Sequence, residues 1–174
     1  MTNQYVSEID VIIATAHWLH SNGWVLQIIS VPKGEGIDHA TDKERLKSKL
    51  LASNIPLPVR FESKGPDIIA SFNGGIWKIE CKGLGKGKAA TLRNNFDRAL
   101  SSTVSYYDSK IGLRLGLAMP KNGTYLHLIR SKIPQALRET LILWVFLYNA
   151  DINTIEAIDP TSELPTKYKY IDEL

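Results

Sequence analysis

Asp67, Glu80 and Lys82 flank a Gly74-Gly75 pair, and together these residue types are suited to phosphoester hydrolysis. Two carboxylates a few ångström apart repel each other, and a hard divalent cation such as Mg2+ relieves this by taking oxygen from both. Water bound to such a cation becomes a nucleophile beside a substrate phosphate. A lysine nearby can orient or help deprotonate that water, or offset charge on the phosphorane-like transition state. The same three residues would also make an ordinary cross-strand ion-pair cluster on a solvated sheet face, which is worth little to stability.

Adjacent glycines supply the positive φ that a tight hairpin turn requires, so Asp67–Asn73 and Ile76–Cys81 read as two strands of one hairpin. A turn centred on Gly74-Gly75 sets Asp67 opposite Lys82, Ile69 opposite Glu80 and Phe72 opposite Trp77. Strand side chains alternate between faces. One face is then Ile68, Ala70, Phe72, Trp77, Ile79 and Cys81, all apolar, and the other is Asp67, Ile69, Ser71, Lys78, Glu80 and Lys82. The acids and the lysine gather at the open end.

The rest of the chain supplies a frame. Ser7–Ser21 has apolar residues at helical spacing, with Ser7 as N-cap and Asn22-Gly23 as stop. Trp24–Val31 reads as a buried strand, Asp42–Ser53 as a short polar helix ended before Pro56, and Ala89–Tyr107 as a long amphipathic helix. Its expected buried stripe is Leu92, Phe96, Ala99, Leu100, Val104 and Tyr107. Leu113–Met119 and Tyr125–Ile129 read as strands, Gln135–Tyr148 as a helix after Pro134, and Thr154–Ile158 as a last strand. This order predicts an α/β protein in one domain, residues 1–174, with a central mixed β-sheet flanked by helices. An inserted loop and helix occupy 32–58, and a helix and strand extension occupies 131–174.

Pro66-Asp67, followed after a spacer by Glu80-Cys81-Lys82, resembles the PD-(D/E)xK motif of the restriction-endonuclease-like nucleases. The resemblance covers roughly residues 7–130 and implies that family's α-β-β-β-α-β core. It implies an Mg2+-dependent DNA endonuclease, with Mn2+ as a substitute, in which Asp67 and Glu80 bind the metal and Lys82 is the catalytic lysine. The Cys81 backbone carbonyl is then a third ligand. Glu8 is the candidate for a further acid from the first helix, with Asp10 nearly as good, although acids in a first helical turn also complement the helix dipole. Where many relatives present a Gln from the helix after the lysine, this chain has Arg93, Asn94 and Arg98, candidates for phosphate contact along with Lys86 and Lys88. The competing reading is a non-catalytic nucleic-acid-binding or protein-interaction protein on the same fold.

Charge placement is compatible with a phosphate-backbone partner and equally with an ordinary solvated charged face. The 174 residues carry a net charge of +3, but residues 78–98 hold six basic residues against two acids, and residues 151–174 hold six acids against two lysines. A basic zone of this kind suits a phosphate backbone. Gly83–Lys88 misses the phosphate-loop spacing, because Lys82 stands where the first Gly belongs and Ala89 where Ser or Thr belongs, so no nucleotide cofactor is expected. One cysteine excludes an internal disulfide framework, and Cys81 is read as an inert core thiol. The four histidines, His17, His20, His39 and His127, form no metal motif. The longest apolar run, Leu141–Tyr148, spans eight residues against the roughly 20 a bilayer requires. It reads as a core helix, with a homodimer surface as the alternative. With no secretory signal at the N-terminus, a cytoplasmic protein away from membranes is expected.

Overall fold

The computed structural model describes residues 5–32, 39–85 and 89–165. Its elements in chain order are α1 (Glu8–Ser21), β1 (Val25–Ser30), α2 (His39–Ala52), β2 (Arg60–Glu62), β3 (Ile68–Phe72) and β4 (Gly75–Cys81). They continue with α3 (Ala89–Ser105), β5 (Leu113–Pro120), α4 (Gly123–Lys132), α5 (Gln135–Leu141), β6 (Leu143–Asn149) and β7 (Thr154–Ile158). The described strands form one seven-stranded mixed sheet in the order β2-β1-β3-β4-β5-β6-β7. Pairing is antiparallel at β1–β3, β3–β4 and β6–β7, and parallel at β1–β2, β4–β5 and β5–β6. Each parallel pair is joined through helices, as parallel geometry requires. The chain is thus an α/β protein with a helix-flanked mixed sheet.

Helices cover both faces. On one, Ile12, Ala16 and Leu19 of α1 and Leu46 and Leu50 of α2 pack on Ile68, Ala70, Trp77, Ile79, Cys81 and Phe146. On the other, Leu92, Phe96 and Ala99 of α3 and Tyr125, Leu126 and Ile129 of α4 pack on Leu115, Leu117, Val145 and Leu147. Among the described residues no helix is long and apolar enough to cross a membrane.

The hairpin forms as expected, with its turn one residue earlier. Asn73 and Gly74 have φ of 45° and 78°, the two positive values of a type I′ turn, for which Asn-Gly is the favoured pair. Ile69 therefore faces Lys78, not Glu80, and Phe72 faces Gly75, not Trp77. Continued one step beyond Ile68↔Ile79, the register sets Asp67 opposite Glu80 and not Lys82. Partners move by two residues, so each side chain stays on its expected face.

Two segments differ in type. Tyr125–Ile129 belongs to α4, not to a strand. Asn122 caps that helix by accepting from the Tyr125 amide at 2.9 Å, and Tyr125, Leu126, Leu128 and Ile129 fall on its buried side. The expected helix Gln135–Tyr148 stops at Leu141, where Ile142 turns left-handed at φ 51°, and its remainder is strand β6. There Leu143, Val145 and Leu147 pack against α4, and Phe146 packs against α1. A parallel strand buried on both faces reads as an unbroken apolar run, which is also how a core helix reads. Within the run Leu143, Val145, Phe146 and Leu147 are buried in the sheet, whereas Ile142 is exposed.

Candidate active site

Asp67 is placed by the end of β1. The Ser30 amide donates to the Asp67 carbonyl at 2.8 Å, and the Ser30 hydroxyl donates to the Pro66 carbonyl at 2.8 Å. This pins the Pro-Asp step where β3 begins. Lys82 is placed from the other side, its amide donating to the Ala118 carbonyl at 2.8 Å and so carrying β4 one residue further along β5. Glu8 is brought in by a third device. Val6 and Leu84 exchange backbone hydrogen bonds at 3.2 and 2.8 Å, laying the start of α1 across the end of β4. Gly83 permits this approach, since a Cβ there would lie 2.5 Å from the Val6 carbonyl oxygen and 2.6 Å from the Glu8 nitrogen.

Three acids and a lysine therefore converge, and each acid commits one oxygen to a fixed donor. Asp67 Oδ2 accepts from the Cys81 amide at 2.7 Å. Glu80 Oε2 accepts from the Tyr106 hydroxyl at 2.7 Å. Glu8 Oε2 accepts from Lys82 Nζ at 2.7 Å. Asp67 and Glu80 are only 9% and 8% exposed, far from the solvated sheet face that charged strand residues usually occupy.

Burial and like charge act together on this cluster. Burial pushes the Asp67 carboxyl well above the usual carboxylate range, and the charges of Glu80 and then Glu8 push it further. Glu80 is raised by burial and by Glu8, against the Tyr106 hydrogen bond and Lys82, which favour its ionised form. Burial works against the Lys82 ammonium, but Glu8, Asp67 and Glu80 outweigh it and hold its pKa above the ordinary lysine value. Lys82 is thus a protonated cation, suited to orienting and charge-offsetting rather than to removing a proton. The Cys81 thiol is fully buried and raised well above its usual pKa, mainly by that burial, as expected of an inert core residue.

Of the two first-helix candidates, Glu8 joins the site and Asp10 does not. Asp10 completes the α1 capping box with Ser7 and pairs with Lys49 at 2.5 Å. Arg93, Asn94 and Arg98 are exposed on α3 and make no hydrogen bond to the acids. Lys86 and Lys88 lie outside the described residues. No group of three His, Cys, Asp or Glu side chains suited to hold a metal is found among the described residues. Hollows of about 230 Å³ beside Asp10 and Lys49 and about 500 Å³ beside the Asn73-Gly74 turn do not include Asp67, Glu80 or Lys82.

Sequence reasoning missed Tyr106. The buried stripe of α3 continues from Ala99 through Thr103 to the half-buried Tyr106, while Val104 and Tyr107 are 40% and 44% exposed. Thr103 at the i+4 position from Ala99 carried that signal, with the Thr103 hydroxyl donating to the Ala99 carbonyl at 2.8 Å. Tyr125 was also unforeseen here. Its hydroxyl, pushed up to about 12 by burial, donates to the Gly83 carbonyl at 3.0 Å and ties α4 to the loop after Lys82.

Compared with known proteins, the chain matches no protein-family model, no curated protein and no solved structure.

Proposed function

We propose that the chain is a metal-dependent deoxyribonuclease, an endonuclease hydrolysing phosphodiester bonds in DNA at a PD-(D/E)xK site, on a core of the restriction-endonuclease-like kind. The observation that carries this reading is the convergence of Glu8, Asp67, Glu80 and Lys82 with one oxygen of each acid already committed to a donor.

The donor set fits a hard cation. Burial and repulsion between Asp67 and Glu80 disfavour their joint ionisation, and a divalent ion reverses that penalty. Asp67, Glu80 and the Cys81 carbonyl would hold Mg2+ or Mn2+. Two carboxylates suffice for Mg2+, which completes its shell with waters and substrate phosphate, so a third acidic side chain is not required. When bound, the ion would polarise the phosphate and lower the pKa of an attacking water.

The chain's own residues do the rest. Asp67 and Glu80, each anchored through one oxygen, present the other without rearrangement, the preorganisation on which electrostatic catalysis depends. Lys82, kept protonated by Glu8, offsets negative charge on the phosphate and orients the water. Arg93, Asn94 and Arg98, with Lys86 and Lys88 shortly before them in the chain, would hold the DNA backbone by sequence-independent contacts.

Cleavage assays with Mg2+ on linear duplex, branched and single-stranded DNA test this reading. The parent protein should cut at least one, and Asp67→Ala, Glu80→Ala and Lys82→Ala should each abolish cutting with an unchanged circular-dichroism spectrum. Equal cleavage by all three variants would overturn the site. Salt-dependent DNA binding by a parent protein that never cuts would favour the non-catalytic reading.

A further inference from the structure

Of the two acids on the hairpin, Glu80 is the one anchored by a residue outside it. Asp67 takes its hydrogen bond from the β4 backbone, whereas Glu80 takes its own from Tyr106, just beyond the end of α3. That residue is held in turn. The Tyr106 carbonyl accepts from Lys78 Nζ at 3.1 Å, and the same ammonium pairs with Asp108 at 2.8 Å. Lys78 precedes Glu80 by two positions on β4 and shares its face, so the strand that carries the acid also grips the residue that orients it.

We infer that Tyr106 is a positioning residue for metal binding, which fixes the Glu80 carboxylate through Oε2 and leaves Oε1 to the cation, with Lys78 and Asp108 holding Tyr106 in place. This rests on the proposed metal site. A glutamate side chain has three rotatable bonds before its carboxylate, and without an anchor it loses more freedom on binding an ion than one already held. Phenol donation to one oxygen also makes a charge-assisted bond. Partners that orient a metal ligand typically contribute 10- to 100-fold in affinity. Tyr106 touches neither metal nor substrate in this assignment and moves no proton.

Calorimetric titration of the metal-free full chain with Mn2+ tests it, comparing the parent with Tyr106→Phe and Lys78→Met. Tyr106→Phe removes one hydroxyl and keeps the ring, and it should weaken Mn2+ binding about tenfold or more while the unfolding temperature stays within about 3 °C. Lys78→Met, which loosens the grip on Tyr106 and leaves its hydroxyl, should weaken binding by a smaller factor. Parent-like affinity in Tyr106→Phe overturns the inference and leaves the metal site standing. A parent protein that binds no Mn2+ overturns both. If Tyr106→Phe fails to fold, parent-like affinity in a folded Lys78→Met overturns the inference, and weakened affinity there supports it.

Discussion

On one face of β4, Trp77, Ile79 and Cys81 are at most 1% exposed, in a cluster where Trp77 meets Trp18, Trp24, Trp144 and Phe146 edge-on at ring-centroid distances of 5.3–6.4 Å. On the other face, Lys78 and Glu80, with Lys82 just beyond, lie partly or wholly out of water, each bonded to a named partner. The apolar face removes area from water and so stabilises the fold. The polar face also brings Glu80 beside the like charges of Asp67 and Glu8, which without an ion opposes folding. A strand that needed only stability would have no use for the second face, and the contrast supports assigning chemistry to it.

The comparison can be broken in four places. The largest effect should come from Asp67→Asn, which keeps an acceptor for the Cys81 amide and deletes the charge. Cleavage should fall about a thousandfold or more, since Lewis-acid stabilisation is worth several kcal/mol and each ~1.4 kcal/mol is a factor of ten. The metal-free protein should be as stable as the parent or more so near neutral pH, measured by thermal unfolding. Loss of both stability and activity would make Asp67 structural. Trp77→Ala on the opposite face should show the reverse pattern, costing about 3–5 kcal/mol in urea unfolding. A cost below about 1 kcal/mol would mean that the aromatic cluster is not the anchor described.

Gly83→Ala sharpens the link between the two ends of the site. Its Cβ would collide with backbone at Val6 and Glu8, so the start of α1 must move and Glu8 must part from Lys82. Cleavage should drop roughly ten- to a hundredfold, the scale of a misplacement of about 1 Å. Parent-like rates would remove Glu8 from the account.

The smallest effect is on pH dependence. Asp67 and Glu80 have raised pKa values in the folded state, so the native protein keeps protons that the unfolded chain has released. Their contribution to stability is full below about pH 4 and is lost as pH rises through the folded values. Asp108 and Asp159, depressed to about 2 chiefly by hydrogen bonds from Lys78 and Ser162, act oppositely, adding stability as pH rises from about 2 to about 4. The unfolding temperature of metal-free protein should thus climb to about pH 4 and then lose ground, and Mg2+ should restore the loss. A profile that does not fall above about pH 4 would contradict shared burial of the two acids, and a fall that Mg2+ leaves unchanged would contradict a metal held between them.

Much of this site was legible because it is local. Alternation along Asp67–Lys82 assigned each side chain to its face even though the turn falls at Asn73-Gly74, because a shift by one turn position moves partners by two and preserves parity. Ser7 as a cap located α1 and hence Glu8. What could not be read was tertiary. Nothing near Glu80 in sequence points to Tyr106, and the choice of Glu8 over Asp10 depends on the Val6–Leu84 bridge and the partner Lys49 takes. The fold suffered at β6 for a related reason: a run such as Leu143–Tyr148 lacks polar punctuation, and only enclosure between β5 and β7 makes it a strand.

The most direct test of the central claim is an anomalous difference map from crystals of the parent protein soaked in Mn2+. The account predicts one strong peak between Asp67 and Glu80, within coordination distance of an oxygen from each and on the side away from the Cys81 amide and Tyr106. A map with no peak there, showing instead the two carboxyl groups bonded to each other through a shared proton, would contradict it.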